Sequence, residues 1–308
     1  MENTVTKENR YEKIGAWRGG WLLLRASWST LKMDKELVLF PIYAGLANMV
    51  WIVIVAVIFG LITSIYARGD YDLITQIMET DRPLWYQVSF FLFSTIGIYA
   101  TTNYFTAGLI ASALHRFQGN NPSVNYGLQK AKSRIKPLIK FSLVQAFLGT
   151  IFSVADEKLP LIGRISAWIV DIAWRLASLF AVPVIVMSER ELGPIEAVRK
   201  SAGIFKKTWG QNFTASLGMG AVSIVAFLAW VGLAFSAGLL AVGVGNWTLW
   251  LTAPVIGILL VLMISIISAL NGIFNAALYH FATTGQSPAE FDHNLLMAAF
   301  KPKKKWFS

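Results

Sequence analysis

The sequence predicts an all-α polytopic membrane protein, and two observations carry that reading. Of the 308 residues, 55% are hydrophobic before 24 glycines are added, and only 14% are charged. Soluble domains usually carry about 25% charged residues, which they need to cover their surface. Six apolar stretches, residues 37–67, 84–117, 137–155, 161–188, 213–245 and 247–282, reach the ~20 residues that a helix needs to cross a bilayer. Helices are the expected form, because lipid-exposed backbone has to satisfy its hydrogen bonds within the segment. An aromatic content of 13% argues against a disordered chain. The absence of cysteine excludes disulfides, thiolate metal sites and cysteine nucleophiles.

Taken in order, residues 1–36 form a charged segment expected to be cytoplasmic. Trp17, Trp21, Leu24, Trp28 and Leu31 recur at helical spacing on one narrow arc, with Arg18, Arg25 and Lys32 beside it. Such a helix suits the membrane interface, where basic stems lie on lipid while their charges reach phosphates. Packing beneath the bundle is the plainer alternative. No isolated apolar core precedes residue 37, so the first span is expected to stay in the chain. The six spans fill residues 37–282, and residues 283–308 are expected to form a cytoplasmic amphipathic helix and basic tail.

Charge sets the expected orientation. Of the 27 basic residues, 22 lie in residues 1–36, 116–140, 189–212 and the C-terminal tail. The opposite loops hold Arg68, Arg82, Lys158 and Arg164 against six acids. By the positive-inside rule both termini are cytoplasmic, in a multi-pass protein of the cell membrane. The net charge of +10 then faces the inner leaflet, so anionic lipids are the expected partners. Nucleic acid is not, since it would require a soluble basic domain.

The segments between spans share a design. Asn121-Pro122, Gly193-Pro194 and Ser287-Pro288 each place a small or polar residue before proline, a helix-start signal, and Ser287 with Glu290 fits a capping box. Lys132, Arg199 and Lys206 flank the apolar stripes that follow, as Arg18, Arg25 and Lys32 flank the first. Gly108, Ala113, Leu114 and Phe117 match Gly272, Ala277, Leu278 and Phe281, each 164 positions later. These features predict a threefold repeat of two spans plus an amphipathic helix, parallel in orientation and unlike the inverted repeats of many transporters.

The run from Val182-Pro183 to Ser188-Glu189, then Gly193-Pro194-Ile195-Glu196-Ala197-Val198-Arg199-Lys200-Ser201 and Trp209-Gly210, resembles an uncharacterised family of six-span prokaryotic membrane proteins. The likeness extends to Lys35-Glu36-Leu37 through Pro41 and to residues 103–109. That family is similar to the membrane domains attached to some glycerophosphodiester phosphodiesterases. The resemblance implies the architecture and no activity: the catalytic barrel of those enzymes has no counterpart here, and no hydrolase residue carries over.

Chemistry is sparse. Asp171 and Arg175 are the charged residues deep in a span, and their i,i+4 spacing lets them pair. A charge at that depth costs about 2.5–3.5 kcal/mol on insertion scales and so marks a candidate site. The plainer reading is a neutralised clasp, sealed among helices, that pins the fourth span. Asn103, Asn271 and Asn275 add polar side chains near membrane depth, where such residues more often bond neighbouring helices than substrate. His115, His280 and His293 lack metal-ligand spacing, and phosphate-loop and dinucleotide fingerprints are missing, so neither metal nor cofactor is expected. With no carboxylate or histidine cluster, the expectation is a non-enzymatic, lipid-associating or membrane-organising protein. The alternative is a small permease, channel or amphiphile transporter with a polar interior around the fourth span.

Overall fold

The computed structural model describes residues 16–66, 84–158, 160–209, 215–244, 247–293 and 296, and every regular element among them is helical. In order these are α1 (Ala16–Met33), a 3-10 helix (Lys35–Val38), α2 (Leu39–Tyr66), α3 (Leu84–Phe117), α4 (Val124–Ser133), α5 (Ile135–Lys158), α6 (Leu161–Ala177), α7 (Ala181–Met187), α8 (Pro194–Trp209), α9 (Ala215–Val244) and α10 (Trp247–Thr284). Among the described residues, four segments are long and apolar enough to cross a membrane: Lys35–Thr63, Ile135–Ala155, Gly163–Met187 and Thr252–Thr284. They mark the chain as a membrane protein and correspond to the first, third, fourth and sixth expected spans. α3 has the length, with 34 residues, but Gln87, Ser89, Ser94, Thr95, Thr101, Thr102, Asn103 and Thr106 dilute its hydropathy. In α9 the described apolar part is Ile224–Ser236.

Two compact units share the chain. One draws its described residues from 1–42, 108–130 and 203–308, the other from 43–107 and 131–202. In the first, α1 packs on α9 and α10 through Leu23, Ala26, Ser27, Thr30 and Leu31, all buried. The expected single arc therefore divides. Leu31 joins the packed face and Leu24 is half-buried, whereas Trp21 and Trp28 stay 53% and 38% exposed. Just beyond α1, the buried Asp34 pairs with Arg116 at 3.3 Å, and Glu36 accepts the Val124 backbone N–H at 3.3 Å. Gly127 lies so close to Ser112, the Gly108 carbonyl and Phe40 that no side chain fits there.

The two matched segments, 108–117 and 272–281, lead into glycine caps. Gly119 adopts φ +84°, its N–H bonds the Arg116 carbonyl at 2.8 Å, and the Asn120 N–H reaches the His115 carbonyl at 3.3 Å, a Schellman motif. Gly285, at φ +72°, closes α10 on the Phe281 carbonyl at 2.9 Å. The helix starts differ from the expected scheme. Pro194 is the first residue of α8, but Ser123, one residue after Pro122, caps α4 by accepting the Tyr126 N–H at 3.2 Å. Ser287 pairs with His293 Nδ1 at 2.9 Å. The expected C-terminal helix and tail fall largely outside the described residues.

In the second unit, the lower turns of α2 and the start of α3 pack around Phe59, which meets Tyr86 and Phe90 edge-on at 5.5 and 5.1 Å. Thr63 and Tyr86 share a buried hydrogen bond of 2.7 Å. One turn of α3 then bonds to both neighbours. Thr101 and Thr102 bond Asn48 of α2, and Asn103 donates to Ser142 and Gln145 of α5 at 2.8 and 2.6 Å. These are the interhelical amide and hydroxyl bonds that apolar surroundings favour.

Candidate functional site: a polar cleft

The second unit contains a cleft of about 490 Å³ between α3, α5 and α6. α3 contributes Phe91, Thr95 and Tyr99, one turn apart, and α5 contributes Gln145, Gly149, Phe152 and Ser153. The third wall is α6. Arg164, Trp168, Asp171, Arg175 and Ser178 follow steps of four, three, four and three residues, so they form one helix face. Ile165, Ile169 and Val170 lie on the other side and are 50–57% exposed. α6 is thus amphipathic, with its polar face turned onto the cleft.

At the centre of this wall, Arg175 Nε donates to Asp171 Oδ2 at 2.8 Å. The arginine side chain is 74% exposed and the aspartate 24%. Asp171 consumes the Nε donor, so the two Nη groups, four N–H donors, have no partner among the described residues. Arg175 stands midway along the apolar segment Gly163–Met187. On the floor, Gln145 accepts from Asn103, which leaves its amide nitrogen as the end available to the cleft.

The span is broken beside the same place. α6 ends at Ala177 and α7 starts at Ala181, and between them the Leu179 N–H falls back to the Leu176 carbonyl at 3.3 Å. The Phe180 N–H is taken by the fully buried Ser201 Oγ at 2.8 Å. Irregular backbone at membrane depth is tolerated where protein groups satisfy it, and Ser201 of α8 supplies that group. Its place in the motif run at residues 193–201 is thereby explained.

The five expected polar residues are divided between the two units. Asp171 and Arg175 line the cleft and Asn103 sits one hydrogen bond behind it. Asn271 and Asn275 are on α10, in the other unit. The pair borders the cleft, with the arginine side chain largely exposed and the aspartate mostly covered. Arg164 belongs to α6 and the cleft wall, not to the loop that its charge suggested. The 164/168/171/175/178 stripe was the legible signal for it, and for Trp168.

Among the expected lipid contacts, Arg25, Lys32, Lys132, Arg199 and Lys206 are all exposed. Lys32 Nζ lies 5.8 Å from the Trp28 ring centre. The side chains of Trp17 and Arg18 lie outside the described residues. His115 stacks on Tyr126 at 4.1 Å, His280 faces Phe117 and His293 bonds Ser287. Among the described residues no three potential metal ligands gather.

In comparisons with known proteins, residues 84–289 match the model of a family of unknown function, DUF6159. No curated protein and no solved structure matches the chain. The matched stretch is more than half of the sequence and includes every wall of the cleft as well as Ser201. The chain belongs to the DUF6159 family.

Proposed function

We propose that this protein is a non-enzymatic, lipid-associating component of the prokaryotic cell membrane, crossing it six times with both termini in the cytoplasm. Residues 84–117 and 213–245 serve as the second and fifth spans, and an even number of crossings keeps the strongly basic segments on one side. The finer likeness, to membrane domains of glycerophosphodiester phosphodiesterases, and the threefold parallel repeat belong to the same reading. The observation that carries it is the outer face of α1. Trp21, Arg25, Trp28 and Lys32 are all exposed and fall within about 60° of one another at 100° per residue. Their opposite face is buried against α9 and α10, so protein packing does not consume them. Two tryptophans interleaved with two cations on an anchored helix match what an anionic inner leaflet attracts.

Because the chain has no cysteine, single-cysteine probes test this cleanly. A spin label at Trp28→Cys in the full-length protein should be reached by oxygen more than by a water-soluble nickel reagent in anionic nanodiscs, and the balance should reverse in neutral ones. Cysteines at Asp72, Lys158 and Asn246 should label from outside intact cells. Labelling only from the cytoplasm would sink the orientation.

A second reading, a small permease or amphiphile transporter, is favoured by one observation. The cleft lies open beside Asp171 and Arg175 at the middle of an interrupted span.

A further inference from the structure

We propose that the cleft in the second unit binds an amphiphile bearing one anionic headgroup, with a phosphate diester held by Arg175 and the apolar part against the aromatic walls. The inference rests on the second reading, that the cleft is a ligand site, and names its ligand.

Three features select this class. First, Asp171 holds Arg175 by Nε alone, which orients the guanidinium and leaves its Nη fork for a bidentate oxyanion. The Asp171 carboxylate also sits close enough to repel a second negative charge on the ligand, so a monoanion fits better than a dianion. Second, Phe91, Trp168 and Trp174 give the cleft broad apolar surfaces, with Thr95, Ser153 and Gln145 spaced among them as hydrogen-bonding groups. A bare inorganic ion would use none of those surfaces. Third, the rim faces outward from the helices: Arg175 and Trp168 are 74% and 63% exposed, and Ile165, Ile169 and Val170 continue the exposed surface of α6. In a bilayer that surface meets lipid, so an occupant enters sideways from the membrane. A guanidinium left exposed at the middle of a span is itself poorly solvated, and a headgroup anion supplies the missing partner.

The test is ligand-dependent melting of the full-length protein in a neutral maltoside detergent. The probes are dioctanoyl phosphatidylglycerol, dioctanoyl phosphatidylcholine and inorganic phosphate. Phosphatidylglycerol should raise the melting temperature saturably, while the other two leave it nearly unchanged. Arg175→Gln should weaken the apparent affinity for phosphatidylglycerol by about tenfold or more, the loss expected for a charged hydrogen-bonded contact. Gly149→Leu, which leaves Arg175 in place and fills the cleft floor beside Tyr99, should abolish the response, and it decides the matter should Arg175→Gln fold poorly. A response that survives both variants, or one given equally by phosphatidylcholine, overturns the proposal. Stabilisation by inorganic phosphate that is lost in Arg175→Gln overturns the amphiphile while leaving the permease reading intact. Replacing Arg25 and Lys32 by Gln should not alter the response, which separates this site from lipid contact at α1.

Discussion

α1 and α6 are built from the same kinds of residue at the same spacing. α1 presents Trp21, Arg25, Trp28 and Lys32 on one face, and α6 presents Arg164, Trp168, Asp171 and Arg175. Their surroundings differ. α1 packs on α9 and α10 through its small and aliphatic side, so its aromatic and basic face looks outward. The polar face of α6 lines a cleft that α3 and α5 wall, with Arg175 and Trp168 at its exposed rim, and Ile165, Ile169 and Val170 lie on its other side. An amphipathic helix reports that two environments exist, not which of them is protein. The difference in chemistry is Asp171. A carboxylate is of no use on a surface facing anionic lipid, but inside a cleft it orients an arginine.

The ion pairs that belong to these two regions differ in the same way, and they give the largest expected effect. Asp34, just after α1, is buried with a partner, Arg116, that is 25% exposed, whereas Arg175 beside Asp171 is 74% exposed. Arg116→Met strands the Asp34 carboxylate and should destabilise the protein by about 3 kcal/mol, and adding Asp34→Asn should recover much of that. Burial pushes the Asp34 carboxyl above its usual range, Arg116 pulls it back, and Glu290 and Glu36 push it up again. With its folded pKa raised, the native state holds the proton more tightly than the unfolded chain. Its contribution therefore favours folding at low pH and is lost as pH climbs from the ordinary carboxylate range through the raised value. The difference in melting temperature between the parent and Asp34→Asn, followed across that range, should show this slope. A flat difference would mean that water already solvates Asp34.

The next effect concerns the outward face. Arg25→Gln with Lys32→Gln should reduce the affinity of α1 for an anionic surface by about 2 kcal/mol, at about 1 kcal/mol per basic residue. The spin label at position 28 should then lose its oxygen preference, and the effect should shrink in salt because exposed charges are screened beyond about 8 Å. The same pair of changes in neutral nanodiscs should do nothing. A loss independent of lipid charge would make α1 a packing element on both faces.

Smallest is the open pair. Asp171→Asn should cost no more than about 1 kcal/mol of stability, as for other solvent-facing pairs. If it lowers stability as much as Arg116→Met does, the cleft is closed in the membrane and the two regions do not differ in the way argued above.

The sequence by itself determined that the chain is helical and membrane-embedded, because hydropathy and length are summed along one segment and need no partner. It also determined that Asp171 and Arg175 pair, since i,i+4 neighbours meet on any helix. Tertiary structure alone decided the rest. Leu31 went to the core while Trp28 stayed outside, because α9 and α10 cover one side of α1 and a helical wheel cannot name that side. Asn103 stands behind the cleft through Gln145, whereas Asn271 and Asn275 belong to the other unit, although all three read alike as polar residues in apolar runs. Whether a buried charge is a clasp or a ligand handle depends on whether neighbouring helices close over it, and that contact is made by residues dozens of positions away, on α3 and α5.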